Sequence, residues 1–159
     1  MNLLIIRHAK AEGFAMDDSA RNLTEVGEAQ AKKVGEFLKA QKLLPDIVLT
    51  SPYARAKQTA KIFCEVAGFS EPHVEPWLAC GMSPSEAIEE LMAYQDFRTV
   101  AICGHNPDFA ELAEWLLGSS SGGINVKTAS VIYFSEVNPP SQGAQLEMLV
   151  PSSAIGLEG

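Results

Sequence analysis

The sequence lacks any apolar run long enough to cross a membrane or to act as a secretion signal. Its first apolar run ends at Ile6, whereas a membrane-spanning helix needs about 20 apolar residues. No basic residue precedes this run, and Arg7 and His8 follow it at once, which is unlike a signal peptide. The three cysteines can neither all pair nor form a metal site at their spacing. We therefore expect a cytoplasmic protein with reduced thiols.

Positive charge is also scarce, with 12 Lys and Arg against 20 Asp and Glu, and only Lys127 is basic after Arg98. The net charge of −8 argues against nucleic acids and anionic membranes as partners, although an anion site within the first two thirds of the chain is compatible with it. No glycine-rich phosphate loop follows any apolar run, which argues against a nucleotide-binding module. A chain of 159 residues with 47% apolar residues predicts one domain, residues 1–159, expected to be a monomer.

Short apolar runs predict the strands of an α/β protein. They cover residues 2–6, 46–50, 99–103, and then roughly 125–137 and 145–150, with a loop through Pro139 and Pro140 between the last two. The intervening segments carry apolar residues at helical spacing. The order of elements predicts a three-layer sandwich, with a mainly parallel central sheet, helices on both faces and an antiparallel edge formed by the last two strands.

Capping signals place the ends of the helices. Thr24 caps the first helix, which Pro45 ends, and its apolar face is predicted to comprise Val26, Ala29, Val34, Phe37, Leu38 and Leu43. Ser51 as the N-cap and Pro52 at the first helical position start the second helix, which Gly68 ends. Ser83 and Pro84 open a third helix, with Ile88, Leu91 and Met92 on its inner face. The fourth helix carries Phe109, Leu112, Ala113 and Leu116, and residues 69–82 are expected to be irregular.

Three predicted strands end in residues suited to binding a phosphoryl group. The first ends in Arg7 and His8, the second leads through Ser51-Pro52 to Arg55, and the third ends at His105. Parallel strands bring their carboxyl ends to one edge of the sheet, where ligands bind in open α/β folds. Arginine forks match phosphoryl oxygens, and helix N-termini favour anions. The repeated strand–turn–helix pattern therefore predicts a phosphate site.

Taken singly, each of these residues has a plainer interpretation. Arg7 and His8 together are compatible with a surface pair, Arg55 with a solvated helix residue and His105 with a turn histidine. His73 follows a proline in an irregular segment and is interpreted as a surface residue. No histidine has carboxylate or thiolate partners at zinc-ligand spacing, so no metal or other cofactor is expected.

These motifs resemble the histidine phosphatase (phosphoglycerate mutase-like) superfamily and, within it, the short SixA-type phosphohistidine phosphatases. Four blocks in order carry the resemblance, which covers nearly the whole chain: Leu4–Ala9, Arg21–Gly27, Ser51–Ala60 and Gly104–Pro107. Ala9 stands where many relatives have glycine. The resemblance implies the phosphoglycerate mutase-like fold.

The resemblance also implies a mechanism. His8 would be the nucleophile, forming a phosphohistidine intermediate that water hydrolyses. Arg7 and Arg55 would hold the phosphoryl oxygens, and their charges should lower the pKa of His8 and keep it neutral for attack. His105 would donate a hydrogen bond to the same oxygens and carry a charge when phosphate is bound.

Two further residues, Arg21 and Asn106, are expected to help bind substrate. The general acid of many relatives has no clear counterpart, because Glu75 is the one carboxylate in its region and matches the position poorly. Without an acid, a poor leaving group loses about 10²–10⁴-fold in rate, whereas phosphorylated imidazole leaves unaided. We therefore expect a phosphohistidine phosphatase acting on a phosphorylated protein. The alternatives are a broad-specificity phosphomonoesterase for small phosphorylated substrates, with Glu75 as acid, and a non-catalytic phosphate-binding module.

Overall fold

A six-stranded sheet forms the centre of the computed structural model, which describes residues 1–156. In chain order its strands are β1 (Asn2–Arg7), β2 (Ile47–Thr50), β3 (His73–Val74), β4 (Thr99–Gly104), β5 (Val131–Ser135) and β6 (Gln145–Val150). Their order across the sheet is β3-β2-β4-β1-β5-β6. The strands from β3 to β1 run parallel, whereas β5 pairs antiparallel with β1 and β6 antiparallel with β5. The predicted parallel sheet with an antiparallel edge is confirmed.

Four α-helices cover the two faces of the sheet: α1 (Glu25–Ala40), α2 (Ala54–Ala67), α3 (Pro84–Leu91) and α4 (Asp108–Leu117). Successive side chains of a strand point to opposite faces, so β1 contributes residues to both cores. One core joins β1 to the first two helices through Leu4, Ile6, Val34, Leu38, Ala60 and Phe63. The other joins it to the last two helices through Leu3, Ile5, Ile88, Leu91, Phe109 and Leu112. The predicted three-layer sandwich is therefore confirmed.

Several predicted caps are correct, because their side chains or backbones do what the pattern indicated. Thr24 accepts a hydrogen bond from the Gly27 N–H at the start of α1, and Ser83 accepts one from Glu86 at the start of α3. Gly68 ends α2 with a φ of 78°, a left-handed conformation that glycine adopts without steric cost.

The predicted apolar face of α1 is wrong at its first turns, where Val26 and Ala29 are exposed. Gly27 lies on the buried face instead, and a Cβ there would sit 2.0 Å from the Lys10 carbonyl oxygen. This close approach of helix to backbone fixes the rotation of α1 and turns Val26 outward. The helix also ends at Ala40, before Pro45 is reached.

Three other features differ from the prediction: the start of β5, the presence of β3 and the exposure of Met92. β5 begins at Val131 rather than near residue 125, because residues 126–130 use their backbone groups to bond Arg7 and His8 at the end of β1. β3 lies within the segment predicted to be irregular, and both of its residues are exposed, so no apolar pattern marks it. Met92 is exposed because it belongs to a 3₁₀ turn that follows α3. Within residues 1–156, no helix combines the length and apolar character that a membrane crossing requires.

Candidate active site

The register of the sheet brings the ends of β1, β2 and β4 together. Arg7 pairs with Gly104 in the parallel β1–β4 ladder, and Thr50 pairs with Cys103 in the β2–β4 ladder. Backbone hydrogen bonds continue one residue beyond each ladder, from His8 N to the Gly104 carbonyl and from Ser51 N to the Cys103 carbonyl, both 2.9 Å. The residues that follow each strand therefore meet at one edge of the sheet.

His8 is held as a neutral imidazole with its lone pair on Nε2. Its Nδ1 lies 2.7 Å from the Ala9 carbonyl oxygen, which can only accept, so the ring proton is on Nδ1. Arg55 donates from Nε to His8 Nε2 over 3.3 Å, which requires a lone pair on that nitrogen. Burial lowers the pKa of His8 to about 4, and the charges of Arg55 and Arg7 contribute further. Arginine proximity was the predicted cause, but desolvation is the larger one.

Arg55 is almost completely buried and is held in place by the loop between β1 and α1. Its Nη1 donates to the main-chain oxygen of Asp18 over 2.8 Å, and its Nη2 donates to the Asp18 carboxylate over 3.1 Å. The same carboxylate accepts a 2.8 Å hydrogen bond from Arg21 Nε. Desolvation acts to raise the pKa of Asp18, but these hydrogen bonds outweigh it and lower the pKa. Arg21 thus reaches the site through Asp18, which the sequence analysis missed.

Two buried donors near His8 have no hydrogen-bond partner in the part of the chain that the structure describes, Arg7 Nε and His105 Nδ1. Arg7 is anchored through Nη1, which donates to the Val126 carbonyl over 2.7 Å. His105 lies with its ring centroid 5.3 Å from that of His8. Buried polar groups almost always have a partner, so these two nitrogens are suited to donate to the oxygens of a bound anion.

The environment of His105 keeps it neutral. Burial lowers the pKa of His105 to about 3, with smaller contributions from His8 and Arg55. Its Nε2 lies 2.7 Å from the Ser51 hydroxyl. The Tyr53 ring packs edge-on against the His105 ring at a centroid distance of 4.9 Å. The centroid of the Tyr53 ring also lies 5.1 Å from the guanidinium carbon of Arg55. Tyr53 and Ser51 therefore fix the positions of His105 and Arg55.

The structure corrects the prediction that Ser51 caps α2. The helix begins at Ala54 with Tyr53 as its N-cap residue, and no side chain bonds its first turn. The Ser51 hydroxyl contacts His105 Nε2 and accepts from the N–H of Tyr53, the N-cap residue itself, rather than from an N–H within the helix. A serine at a strand end looks the same in the sequence in either role, so this contact was not predictable.

Asn106, predicted to bind substrate, and Glu75, weighed as the general acid, lie outside the group formed by Arg7, His8, Arg55 and His105. The Asn106 amide oxygen accepts from the Ala110 N–H over 3.2 Å, within the first turn of α4. The Glu75 carboxylate accepts a hydrogen bond from the Tyr94 hydroxyl, and burial with this bond raises the pKa of Tyr94 to about 12. His73 is exposed on the edge strand β3, as interpreted from the sequence.

A cavity of about 360 Å³ lies at the opposite edge of the sheet, near the amino ends of β1 and β4. Its lining includes Asn2, Thr99, Lys42 and Arg98 and contains no histidine. This cavity therefore lacks the imidazole nucleophile that the motifs predict, and the edge that carries His8 is the candidate active site.

The arrangement suits phosphoryl transfer. It combines a neutral imidazole nitrogen with a lone pair, two arginines and a second imidazole around one point, and phosphoryl transfer depends chiefly on such positioning and charge stabilisation. Several contacting groups, namely Asp18, Ser51, Tyr53 and Cys80, were not predicted. Cys80 Sγ accepts from Arg55 Nη2 over 3.4 Å. They come from loops and helix starts, where no periodic pattern marks a residue as buried.

Comparisons with known proteins agree with this geometry. Residues 3–80 match the histidine phosphatase superfamily (branch 1). An uncharacterised chloroplastic protein of Arabidopsis thaliana is 29% identical over 80% of this chain. The match covers 63% of the length of the Arabidopsis protein. A SixA phosphohistidine phosphatase homologue of Haemophilus influenzae is 32% identical over 74% of this chain and 78% of its own.

The solved structure of the protein histidine phosphatase SixA complexed with tungstate shares the fold. It superposes with a TM-score of 0.86 at 24% identity and covers 96% of this chain and 98% of its own. The phosphoglycerate mutase-like fold expected from the motifs is therefore confirmed. The family match and the Haemophilus relative show that the chain belongs to the histidine phosphatase superfamily, and they identify it as a phosphatase, a hydrolase.

Proposed function

We propose that this chain is a phosphohistidine phosphatase that hydrolyses phosphohistidine on a protein partner through a phospho-His8 intermediate. The observation that carries the proposal is the state of His8, which is neutral, fixed through Nδ1, and adjacent to unpaired buried donors. A module that only binds phosphate has no need for a neutral nucleophile among arginines. This argues against the non-catalytic alternative.

The reaction proceeds in two displacements at phosphorus. In the first, the substrate ring carries a proton from solvent on its other nitrogen, and the lone pair of His8 Nε2 attacks the phosphorus. The bond from phosphorus to the substrate ring breaks, its electron pair stays on the ring nitrogen, and the ring departs as neutral imidazole. Arg7, Arg55 and His105 donate hydrogen bonds to the phosphoryl oxygens. The Ala9 carbonyl accepts a hydrogen bond from the His8 Nδ1–H throughout and so stabilises the positive charge that phosphorylation places on the ring.

In the second displacement, water attacks the phosphorus of phospho-His8 and the bond to Nε2 breaks. Inorganic phosphate departs, and the lone pair returns to Nε2. The attacking water loses one proton to solvent or to the departing phosphate, so the enzyme ends in its starting state. The Arg55 Nε–H releases Nε2 when the lone pair of that nitrogen bonds phosphorus, and it returns when the lone pair does. The hydrogen bonds from Arg55 Nη1 and Nη2 to Asp18 hold the guanidinium in place through both steps.

The substrate class is inferred from the two carboxylates, among the residues that the structure describes, that we weighed as proton donors. Glu75, the one candidate acid weighed from the sequence, has its carboxylate bonded to Tyr94. Asp18 lies against Arg55, but the net effect of its surroundings lowers its pKa, so it is ionised at neutral pH and has no proton to give. A phosphorylated imidazole needs no such donor, whereas an alkoxide leaving group does. This favours phosphohistidine over small alkyl phosphates and disfavours the broad phosphomonoesterase alternative.

Partner and location follow from the same proposal. A phosphohistidine is a protein side chain, so the substrate is a phosphorylated protein, and the names of the SixA relatives support this choice. Three free thiols support a reducing cytoplasm. Because the proposed catalytic residues come from the ends of two strands of one sheet and from the helix that follows a third, we also propose that the chain acts as a single domain.

The direct test compares two phosphopeptides of one sequence, one carrying phosphohistidine and the other phosphoserine at the same position. We expect turnover of the phosphohistidine peptide to exceed that of the phosphoserine peptide by at least a hundredfold, the lower bound for a missing general acid. Equal turnover of the two peptides would replace this proposal with the phosphomonoesterase alternative. No turnover of either would favour a phosphate-binding module.

A further inference from the structure

The Ser51 hydroxyl sits between a backbone donor and the His105 ring, with no exposed surface. Its oxygen accepts a hydrogen bond from the Tyr53 N–H over 3.1 Å and lies 2.7 Å from His105 Nε2. Ser51 is 0% exposed, so bulk water does not reach it. The direction of the bond between Ser51 and His105 therefore determines which nitrogen of the His105 ring carries the proton.

Counting protons and acceptors decides that direction. In a neutral imidazole one nitrogen carries the proton and the other accepts. If Nε2 carried it and donated to Ser51, the Ser51 proton would be buried without an acceptor, and His105 Nδ1 would be a buried acceptor without a donor. If Ser51 donates to Nε2, one unpaired group remains, a proton on Nδ1. Each buried unpaired polar group costs about 1–3 kcal/mol, so the second arrangement is favoured.

From this arrangement we infer that Ser51 is a positioning residue that selects the Nδ1–H tautomer of His105. The Nδ1–H is then the donor that binds a phosphoryl oxygen. This inference deepens the proposed function and rests on the same site. It also changes the expected state of His105, because a neutral ring that presents Nδ1–H binds the anion without becoming an imidazolium.

The first test measures the tautomer directly. We would record ¹⁵N ring shifts of His105 in the full chain near neutral pH, without ligand and with tungstate, and assign them with His8→Asn and His73→Asn variants. We expect Nδ1 to show the shift of a protonated nitrogen and Nε2 that of an accepting nitrogen. A protonated Nε2 in the wild-type chain would overturn the inference. This measurement needs no variant of Ser51, so it decides the question even if such variants fail to fold.

The second test removes the hydroxyl. Without it, nothing holds the ring proton on Nδ1, so we expect Ser51→Ala to show both tautomers and to bind tungstate roughly tenfold more weakly, about the effect of one hydrogen bond. Ser51→Thr keeps the hydroxyl and should restore the wild-type shifts. Ser130→Ala is the matched control, since Ser130 is also fully buried and its hydroxyl has no partner among the described residues.

The outcomes separate this inference from the proposed function. If Ser51→Ala keeps the wild-type tautomer and tungstate affinity, Ser51 has only a packing role and the inference fails. If tautomer and affinity both change but the wild-type chain does not hydrolyse phosphohistidine, the role of Ser51 at the anion site stands and the proposed substrate is wrong.

Discussion

The Nε proton of Arg55 points at Nε2 of His8 across 3.3 Å, so the guanidinium lies where the phosphoryl group must arrive. The other edge of the same guanidinium is bonded to Asp18 through a main-chain oxygen and a carboxylate oxygen. Arg55 therefore links the nucleophile to the loop between β1 and α1.

Removing the nucleophile should abolish hydrolysis without unfolding the protein. We expect His8→Ala to reduce turnover of phosphohistidine peptide and of p-nitrophenyl phosphate below a hundredth of wild type. The reason is that Arg55 Nε is bonded to Nε2 of His8, whereas Nε2 of His105, the second imidazole in the site, is paired with Ser51. His73→Ala is the matched control, since that histidine is exposed on the edge strand. Thermal unfolding should remain cooperative in both variants. Turnover above a tenth of wild type in His8→Ala would place the nucleophile elsewhere.

The pKa of His8 is depressed, so the side chain should stay neutral well below the usual range for histidine. We expect its ring to titrate near pH 4 by NMR, because burial and two arginines disfavour the imidazolium. Protonation blocks the lone pair, so attack by His8 is retained above that pH and lost below it. Arg55→Gln should raise the pKa only in part, since burial is the larger cause. A wild-type midpoint near 6.5 would show that His8 is solvated.

Asp18 competes with the substrate for the same cation. Its carboxylate offsets the charges of Arg55 and Arg21, so we expect Asp18→Asn, which keeps an oxygen acceptor, to bind tungstate about threefold more tightly or better at low salt. This gain in tungstate affinity should shrink as ionic strength rises. Asp46→Asn, far away at the amino end of β4, is the control for net charge. Weaker binding by Asp18→Asn would instead assign Asp18 the role of holding Arg55 in place.

The sequence predicted the parts of the site that lie on regular strands. Apolar runs located β1 and β4, and parallel pairing then put Arg7 and Gly104 side by side, which brings His8 to His105. Asp18 could not be found this way, because it lies in a polar loop and reaches Arg55, 37 residues away, only in the folded chain.

Ser51 illustrates a different limit. Serine followed by proline is a good helix-start signal, yet the hydroxyl bonds His105 because the neighbouring strand end brings that ring within 2.7 Å. Local propensity was overridden by a tertiary contact at a functional position, where such conflicts are expected.

Dependence on the leaving group tests the proposed substrate class. If no residue donates a proton, negative charge develops on the departing atom as its bond to phosphorus breaks. The rate should then fall steeply as the leaving group becomes more basic, so phosphohistidine and p-nitrophenyl phosphate should react and simple alkyl phosphates scarcely at all. Glu75→Gln should change none of these rates by more than about twofold, because its carboxylate is bonded to Tyr94 rather than to the site.

Two controls make this measurement decisive. Tyr94→Phe removes the hydrogen bond that holds Glu75, so a rise in alkyl phosphate turnover in this variant would reveal a latent acid that Tyr94 restrains. Glu71→Gln removes one negative charge from an exposed side chain, as Glu75→Gln does at its own position, and should leave the turnover of every substrate unchanged. If Glu75→Gln selectively abolishes alkyl turnover, Glu75 is the general acid and the small-molecule phosphomonoesterase replaces the phosphohistidine phosphatase. If alkyl and aryl phosphates react equally in every variant, a donor other than Glu75 protonates the leaving group, and Cys80, whose Sγ contacts Arg55, is the next residue to replace.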